Sequence, residues 1–479
     1  MIDTHFMQKK EQLPKVKKHA TIPTRYQIVK GGKPMFLLPN SVESALLRLE
    51  KAGCKAYIVG GCVRDLLLGK TPNDYDITTS AVPEEIKRIF KNEIIGETGK
   101  KYGTITVLID HTIIEITTHR IDLSYLDHRR PDMVQFTLCL KKDLARRDFT
   151  INAIAYNKTK GLIDYWNGVA DIKCRIIRSI GDASHRFQED ALRILRALRF
   201  ASTLGFTLSR ETNEAVHLYA PLLVYVSAER RTGELIALLC GINARNVLIQ
   251  YITVLGIIIP ELLFMEKALL DHIAKTVENI PPRPALRLAA LLHHVGTAGR
   301  LTQVESEQKT EKCNFLSPYT CVEAAKHILT RLRVDNKTKI TVIKLLRYQA
   351  IHIESTAPAV KRALNCLTPK GFFSLMELKQ ANHLAEDSSG MQAKQDLILK
   401  KLGKDILKSG QCFSLSALSV SGTDLIQIGM KPGEKIKTAL HVLLNAVIDE
   451  KVPNEKEALL RFWQEWEQLH CPFEHESLS

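Results

Sequence analysis

Between Ser41 and Asn157 the apolar positions switch between two periods. The stretches Ser41–Ala52 and Pro83–Asn92 repeat at three and four residues, as helices do, whereas Ile105–Asp110 and Thr112–Thr118 read as strands. Tyr57-Ile-Val59 reads as a short buried strand and Val63–Leu68 as a helix, with two glycines between them. This mixture predicts a compact α/β head over residues 41–157. From residue 158 helical periodicity takes over, interrupted near Pro281-Pro-Arg-Pro284 and near Ser409-Gly410. The expected fold class is therefore α+β, a small mixed-sheet head followed by all-α parts over 158–280, 281–408 and 409–479, with no internal repeat.

Composition narrows the partners. A chain of 479 residues exceeds one ordinary core, so two to four domains are expected. A formal charge of +15 and a pI near 9.2 suit a polyanion. Nucleic acid fits better than a membrane, because neither a basic amphipathic helix nor an apolar span of membrane length is visible. The 10 cysteines include no Cys-x-x-Cys pair and no Cys/His quartet at zinc spacing, and read as reduced core thiols of a cytosolic protein. Within residues 1–40 the lysines and arginine face only Asp3 and Glu11. That segment lacks the apolar core of a secretory signal and the composition of a transit peptide. It reads as a solvated basic tail, with an RNA-contacting arm as the alternative.

The candidate chemistry begins at Asp74 and Asp76. Side chains two apart on a strand share a face, so both carboxylates can converge on one hard cation. Just upstream, Gly60 and Gly61 leave backbone N–H groups and a helix N-terminus free to face a phosphate, with Arg64 in the first turn as a charged clamp. In Ile113-Ile-Glu-Ile-Thr-Thr118 an acidic residue interrupts an apolar strand, and a charge there is costly unless paired or metal-bound; a glutamate on the exposed face of a half-buried strand is the structural alternative.

Strand, Gly-Gly, helix and Asp-x-Asp, in that order within Tyr57–Thr79, resemble the nucleotidyltransferase superfamily. The run is most similar to the branch that holds bacterial-type tRNA CCA-adding enzymes and bacterial poly(A) polymerases. The resemblance implies Asp74 and Asp76 as Mg²⁺ ligands and Glu115 as a third catalytic carboxylate. It also implies a two-metal mechanism, in which one ion activates the primer 3′-hydroxyl and the other holds the triphosphate. Asp143–Ala153 resembles the family motif that grips ribose and triphosphate, which makes Arg147, Asp148 and Asn152 nucleotide-binding candidates; an ordinary helix-surface pair of Asp143 with Arg147 is the structural alternative. Arg120–Asp132 looks like a flexible element between head and neck.

In Gln188–Phe200 the residues Ala191, Ile194, Leu195 and Leu198 form one helical stripe, and Glu189, Asp190, Arg193 and Arg196 another, for which a salt-bridged helix surface is the structural alternative. The resemblance makes Asp190 and Arg193 a protein template for the incoming base, with Arg196 beside them. Cytosine and adenine each present an amine beside an unprotonated ring nitrogen, which a carboxylate and a guanidinium can read together. Uracil and guanine would set like groups against the same pair. CTP and ATP follow as substrates, the 3′ end of tRNA as partner and the cytoplasm as location.

Weaker likenesses separate CCA addition from poly(A) addition. Gly96–Val107 and Ser227–Leu235 look like CCA-adding patterns, the second with Ser227 as an N-cap and Glu229 in the first turn, bracing the template helix. The acidic stretch 455–479 differs from the basic tail associated with bacterial poly(A) polymerases. CCA addition is the expected function, poly(A) addition the alternative and a non-catalytic RNA-binding protein the remote one. In the family the helical parts are neck, body and tail, and Ser421–Ile436 matches a tail motif. Leu291-Leu-His-His-Val-Gly296 resembles a metal-dependent phosphohydrolase signature, but His294 stands where that signature needs aspartate. His293 and His294 are therefore expected as packing or capping residues at a helix end.

Overall fold

The computed structural model describes residues 27–28, 34–122, 133–296, 318–386 and 390–470. The chain divides into two compact units, 1–238 and 239–479. All the lysines and the arginine of the basic segment 1–40 fall outside the described residues, as does most of Arg120–Asp132.

The first unit is built on a seven-stranded mixed sheet. In chain order its strands are β1 (Ala56–Val59), β2 (Tyr75–Thr79), β3 (Ile94–Gly96), β4 (Thr104–Ile109), β5 (Thr112–Thr118), β6 (Ile154–Asn157) and β7 (Gly161–Asp164). Their spatial order is β7-β6-β1-β2-β5-β4-β3. Only β2 and β5 pair in parallel, with Asp76 opposite Glu115 and Ile77 opposite Ile116. On β5 burial alternates: Ile114, Ile116 and Thr118 point into the core, while Ile113 and Glu115 face out. Central β1 is buried throughout, as expected for a strand covered on both faces.

Three helices pack close to this sheet. Helix α1 (Asn40–Lys51) buries Val42, Ala45, Leu46 and Leu49, the 3–4 spacing of an amphipathic face. Helix α2 (Gly61–Leu67) leaves β1 through Gly60, whose φ of 83° a residue with a side chain rarely adopts. Helix α3 (Pro83–Ile89) starts with Pro at its first position and with Glu85 accepting from the Val82 amide at 3.1 Å. It ends at Ile89, three residues before the expected Asn92. Helix α4 (Leu140–Ala145) follows, and Leu140 and Leu144 join Tyr57, Val59 and Ala155 in one core.

The expected continuous helix over 188–200 is not formed. Helix α5 (Ala183–Glu189) ends and α6 (Leu192–Leu204) begins on either side of Asp190, which is extended at φ −141°, ψ 100°. The Asp190 carboxylate accepts from the Leu192 amide at 3.1 Å, so a short polar side chain competes with the helix and opens a new one. The apolar stripe survives the break, since Ala191, Ile194, Leu195 and Leu198 are all fully buried. Helix α7 (Ala228–Leu239) then packs back, with Ser227 just before it and Glu229 in its first turn, as expected.

The described part of the second unit is helical. Its middle holds α8 (Lys267–Asn279), α9 (Pro284–Leu292) and α10 (Ala357–Glu386), and α10 bends where Thr368 (φ 65°) precedes Pro369. Pro281-Pro-Arg-Pro284 separates α8 from α9. In the last part Ser421 caps helix Gly422–Gln427 through a reciprocal bond with Asp424, and Leu425, Leu443, Leu444 and Trp463 share one core.

The cysteines depart from expectation. Cys62, Cys321 and Cys412 are buried, but Cys139, Cys174 and Cys366 are exposed, and none of the described ones is bridged. Spacing alone excluded a zinc quartet without saying which thiols face solvent.

Ile77 is wholly buried at the centre of the sheet. Ile77→Ala should destabilise the first unit by about 2–5 kcal/mol, read as a lower denaturant midpoint for that unit's transition while that of the second unit is unchanged.

Candidate active site

The chain's chemistry-bearing residues gather on the outward side of β2 and β5. The register sets Asp76 directly beside Glu115 on one face, and Asp74 stands one residue before β2. Asp76 is largely buried, and its carboxyl is raised to about 6, first by loss of hydration and then by the charges of Asp74 and Glu115, against the opposing pull of Arg147. Glu115 is exposed. Its charge is therefore not buried inside an apolar strand but sits on the exposed face, as the structural alternative had it, in register with Asp76. The carboxylates do not close into one tight cage. Among the described residues only His272, His293 and His294 bring three such ligand atoms within 4.8 Å of one another.

Gly60 holds the next layer in place. A side chain there would meet Arg147 Nη1 at 3.0 Å and Asp76 Oδ2 at 3.9 Å, so glycine is needed for space as well as for φ. Its own N–H bonds to Ile154 O at 3.3 Å. That amide ties α2 to β6 and is not free for a phosphate, contrary to the expectation for Gly60; Gly61 opens α2. Arg64 is also engaged: it donates to Asp65 Oδ1 at 2.8 and 2.9 Å and to Asn152 Oδ1 at 2.7 Å, with its guanidinium 5.2 Å from the Phe200 ring centre. Arg147 differs. It pairs at 3.8 Å with the fully buried Asp143 and keeps a buried Nε–H with no hydrogen-bond partner. The i,i+4 pair foreseen as a helix-surface contact exists, but in the interior. There Asp143 also accepts from Thr78 at 3.0 Å and Arg146 at 2.9 Å.

Asp148 is the most constrained acid of the site. Its Oδ1 accepts from the Phe149 amide at 2.8 Å and Asn152 Nδ2 at 3.1 Å, and its Oδ2 from Arg196 at 2.6 and 2.7 Å. These partners hold the buried carboxyl well below the usual range, the Arg196 charge most of all. With four acceptor positions taken, Asp148 anchors Arg196 in this conformation and offers nothing to a ribose hydroxyl. Arg196 in turn reaches Glu234 at 3.8 Å and stands 5.6 Å from the Phe200 ring centre.

Asp190 and Arg193 lie within one turn, where the Arg193 amide donates to Asp190 O at 3.0 Å while their side chains are held by other groups. Arg193 is held by Glu189 at 2.6 Å and by the carbonyls of Arg186 and Arg146 at 3.0 and 3.2 Å. Asp190 is held by Arg230 at 3.0 Å. Arg186 caps Ala145 O and Arg147 O, at 3.3 and 2.7 Å, so the carbonyls after α4 end on arginines of α5 and α6. Sequence reasoning missed Arg186, Glu189, Arg230 and Glu234 as individual supports. Glu189 lay in the polar row, and Arg230 and Glu234 lie inside the Ser227–Leu235 run expected to brace the template helix.

Comparison with known proteins gives the same picture at larger scale. A family model described as the poly A polymerase head domain matches residues 56–178. One described as a probable RNA and SrmB-binding site of polymerase A matches 205–262, and a putative tRNA nucleotidyltransferase domain 2 matches 305–463. The CCA-adding enzyme of Levilactobacillus brevis is 35% identical over 427 residues, which is 88% of this chain and 98% of that protein. That of Bacillus velezensis is 33% identical, covering 88% and 97%. The crystal structure of Bacillus stearothermophilus CCA-adding enzyme in complex with CTP superimposes with a TM-score of 0.67 at 29% identity, covering 90% of this chain and 99% of that one.

The raised carboxyl of Asp76 has a measurable consequence. Folding disfavours its charged form, so the cost is absent below its ordinary value of 3.8, grows as pH rises towards about 6 and persists above. In metal-free protein at pH 7.5, Asp76→Asn should raise stability by up to about 3 kcal/mol, a gain that disappears near pH 4. An unchanged or lower melting temperature at pH 7.5 would contradict this electrostatic picture.

Proposed function

The chain belongs to the CCA-adding enzymes, and we propose that it completes the 3′ end of tRNA by adding C, C and A from CTP and ATP without a nucleic-acid template. The observation that carries the catalytic assignment is the register of Asp76 against Glu115, with Asp74 before the strand and Arg147 packed at Gly60. Relatedness to CCA-adding enzymes over nearly their whole length favours this reading over poly(A) addition.

The reaction is metal-dependent, as in the nucleotidyltransferase family. Asp74, Asp76 and Glu115 form an all-oxygen donor set, and the hydration that Asp76 has lost is a cost that a hard cation offsets, so the residues fit Mg²⁺. Bound there in the two-metal arrangement, Mg²⁺ supplies Lewis acidity toward the primer hydroxyl and the triphosphate. The other roles fall to this chain's own groups. Arg147, with its unpartnered Nε–H, draws in the triphosphate, and Arg64 and Asn152 fix the floor beneath it. Asp148 holds Arg196 in place, and Arg196 bounds the nucleotide pocket.

Asp190 and Arg193 choose the base. The Asp190 carboxylate accepts from the exocyclic amine of C or A, and the Arg193 guanidinium donates to the adjacent ring nitrogen. For this the nucleotide displaces Arg230 from Asp190 and Glu189 from part of Arg193. The breaks in helix geometry at Asp190 leave its side chain on a short joint, where such an exchange is cheap. A cytoplasmic location belongs to the same proposal, because tRNA, CTP and ATP are all available there. Among the described residues no helix is long and apolar enough to cross a membrane.

Asp76→Ala should reduce incorporation of labelled CTP and ATP into tRNA lacking its CCA end by on the order of a thousandfold or more, while tRNA affinity measured by anisotropy stays the same. Substantial residual transfer would sink the metal assignment. Arg193→Ala should erode discrimination against UTP and GTP by roughly 10- to 100-fold; discrimination equal to wild type would remove Arg193 from base selection.

A further inference from the structure

The second unit holds a site that the transfer reaction does not use. His272 on α8 meets His293 and His294, which follow the end of α9. Each offers a ring nitrogen within 4.8 Å of the other two, and the ring centres lie 4.1 to 5.2 Å apart. His293 is buried and the other two are partly so. The pair foreseen at a helix end is there, but the third member, 21 residues upstream on another helix, converts packing into convergence.

The hydrogen-bond inventory around these rings leaves a gap. His293 Nδ1 lies 2.6 Å from Ala290 O. A carbonyl only accepts, so the ring proton sits on Nδ1 and Nε2 carries a lone pair. Asn382 donates through Nδ2 to Glu386 at 2.9 Å, which turns its Oδ1 toward His272 Nε2 at 3.0 Å. His272 Nε2 also lies 3.1 Å from His293 Nε2. It therefore faces two acceptors with one proton at most. A cation among these atoms satisfies all of them.

The spacing fits such an ion. Two nitrogens each about 2.0–2.1 Å from a tetrahedral zinc lie roughly 3.3–3.4 Å apart, close to the observed 3.1 Å. We propose that His272, His293 and His294 bind one divalent transition-metal ion, zinc fitting best, with Asn382 Oδ1 as the fourth donor. Three imidazoles and an amide oxygen suit zinc, whereas Mg²⁺ takes oxygen ligands. The surroundings orient the ligands as metal sites do: Ala290 O fixes the His293 tautomer, and Gln349 donates to His293 O at 3.0 Å. Glu386 stands 4.0 Å from His272 and is engaged by Asn382. With its four donors supplied by protein, the site is structural, tying α8, the end of α9 and α10 together.

The test uses the full chain carrying Asp76→Asn, so that the head carboxylates hold less metal. Stripped protein is given Zn²⁺ or Co²⁺ alone, freed of excess by gel filtration, and analysed by elemental mass spectrometry and visible absorption. The expected result is about one ion per chain, the visible bands of tetrahedral Co²⁺, and a raised melting temperature for the second unit. His272→Gln and His294→Gln, each added separately and checked for fold by circular dichroism, should each lower retention to near zero; His293 is left intact because of its burial. Failure of the parent protein to retain either ion would overturn the proposal. So would parent-like retention by either folded histidine variant, or a six-coordinate Co²⁺ spectrum.

Discussion

The ion pair between the buried Asp148 and the half-buried Arg196 is the contact on which the first unit's site depends. It joins the motif after α4 to helix α6, and both its members hold further parts in place. Through Asn152 the Asp148 carboxylate reaches Arg64 on α2, and through Arg196 it reaches Glu234 on α7. Around Phe200 three guanidiniums, those of Arg64, Arg196 and Arg199, lie 4.1 to 5.6 Å from the ring centre. Cations gathered this closely are offset by the carboxylates paired with them, Asp65 with Arg64, Asp148 with Arg196 and Glu234 with Arg199. Removing Arg196 leaves the buried Asp148 carboxylate without its counter-charge. The arrangement is preorganised: β2 and the segment that carries Asp190 and Arg193 are connected through the hydrogen bonds of Thr78, Asp143 and Arg146.

Against that rigid frame the reactive groups are left unsatisfied. Asp76 has lost hydration and faces two like charges, and Arg147 keeps a buried donor without a partner. Both conditions cost stability in the free protein, and under the proposed function a hard cation and a triphosphate relieve them. The acids that support the fold, Asp143 and Asp148, have the opposite environment, with their acceptor positions filled. The division between fully paired and underpaired carboxylates separates scaffold from chemistry here more sharply than burial does.

Much of this was legible in the chain. The period change between residues 41 and 157 locates the sheet, and the order strand, Gly-Gly, helix, Asp-x-Asp places Asp74 and Asp76 at the start of β2 because turn and strand geometry are local. Glu115 was found through the pattern of its strand, although the reason offered for it, the cost of a buried charge, failed because the register put it on the solvent face. What local reasoning lost was long-range pairing. Nothing in Gln188–Phe200 states that Arg193 bonds to Arg146 O, or that Asp190 turns to Arg230 forty positions on. The helix break at Asp190 was hidden because the apolar stripe runs through it unchanged. His272 escaped for the same reason: as a lone histidine on an amphipathic helix it carries no signal until the fold brings His293 beside it.

The central claim, addition of a defined trinucleotide, is tested most directly by product length. Purified protein would be given tRNA transcripts ending at the discriminator base, after C and after CC, with Mg²⁺ and CTP, ATP or both, and the products resolved at single-nucleotide resolution. The account predicts growth from each substrate to the same CCA end, with no further addition when ATP remains in excess. A continuing A tail, or arrest at CC with both nucleotides present, would contradict it.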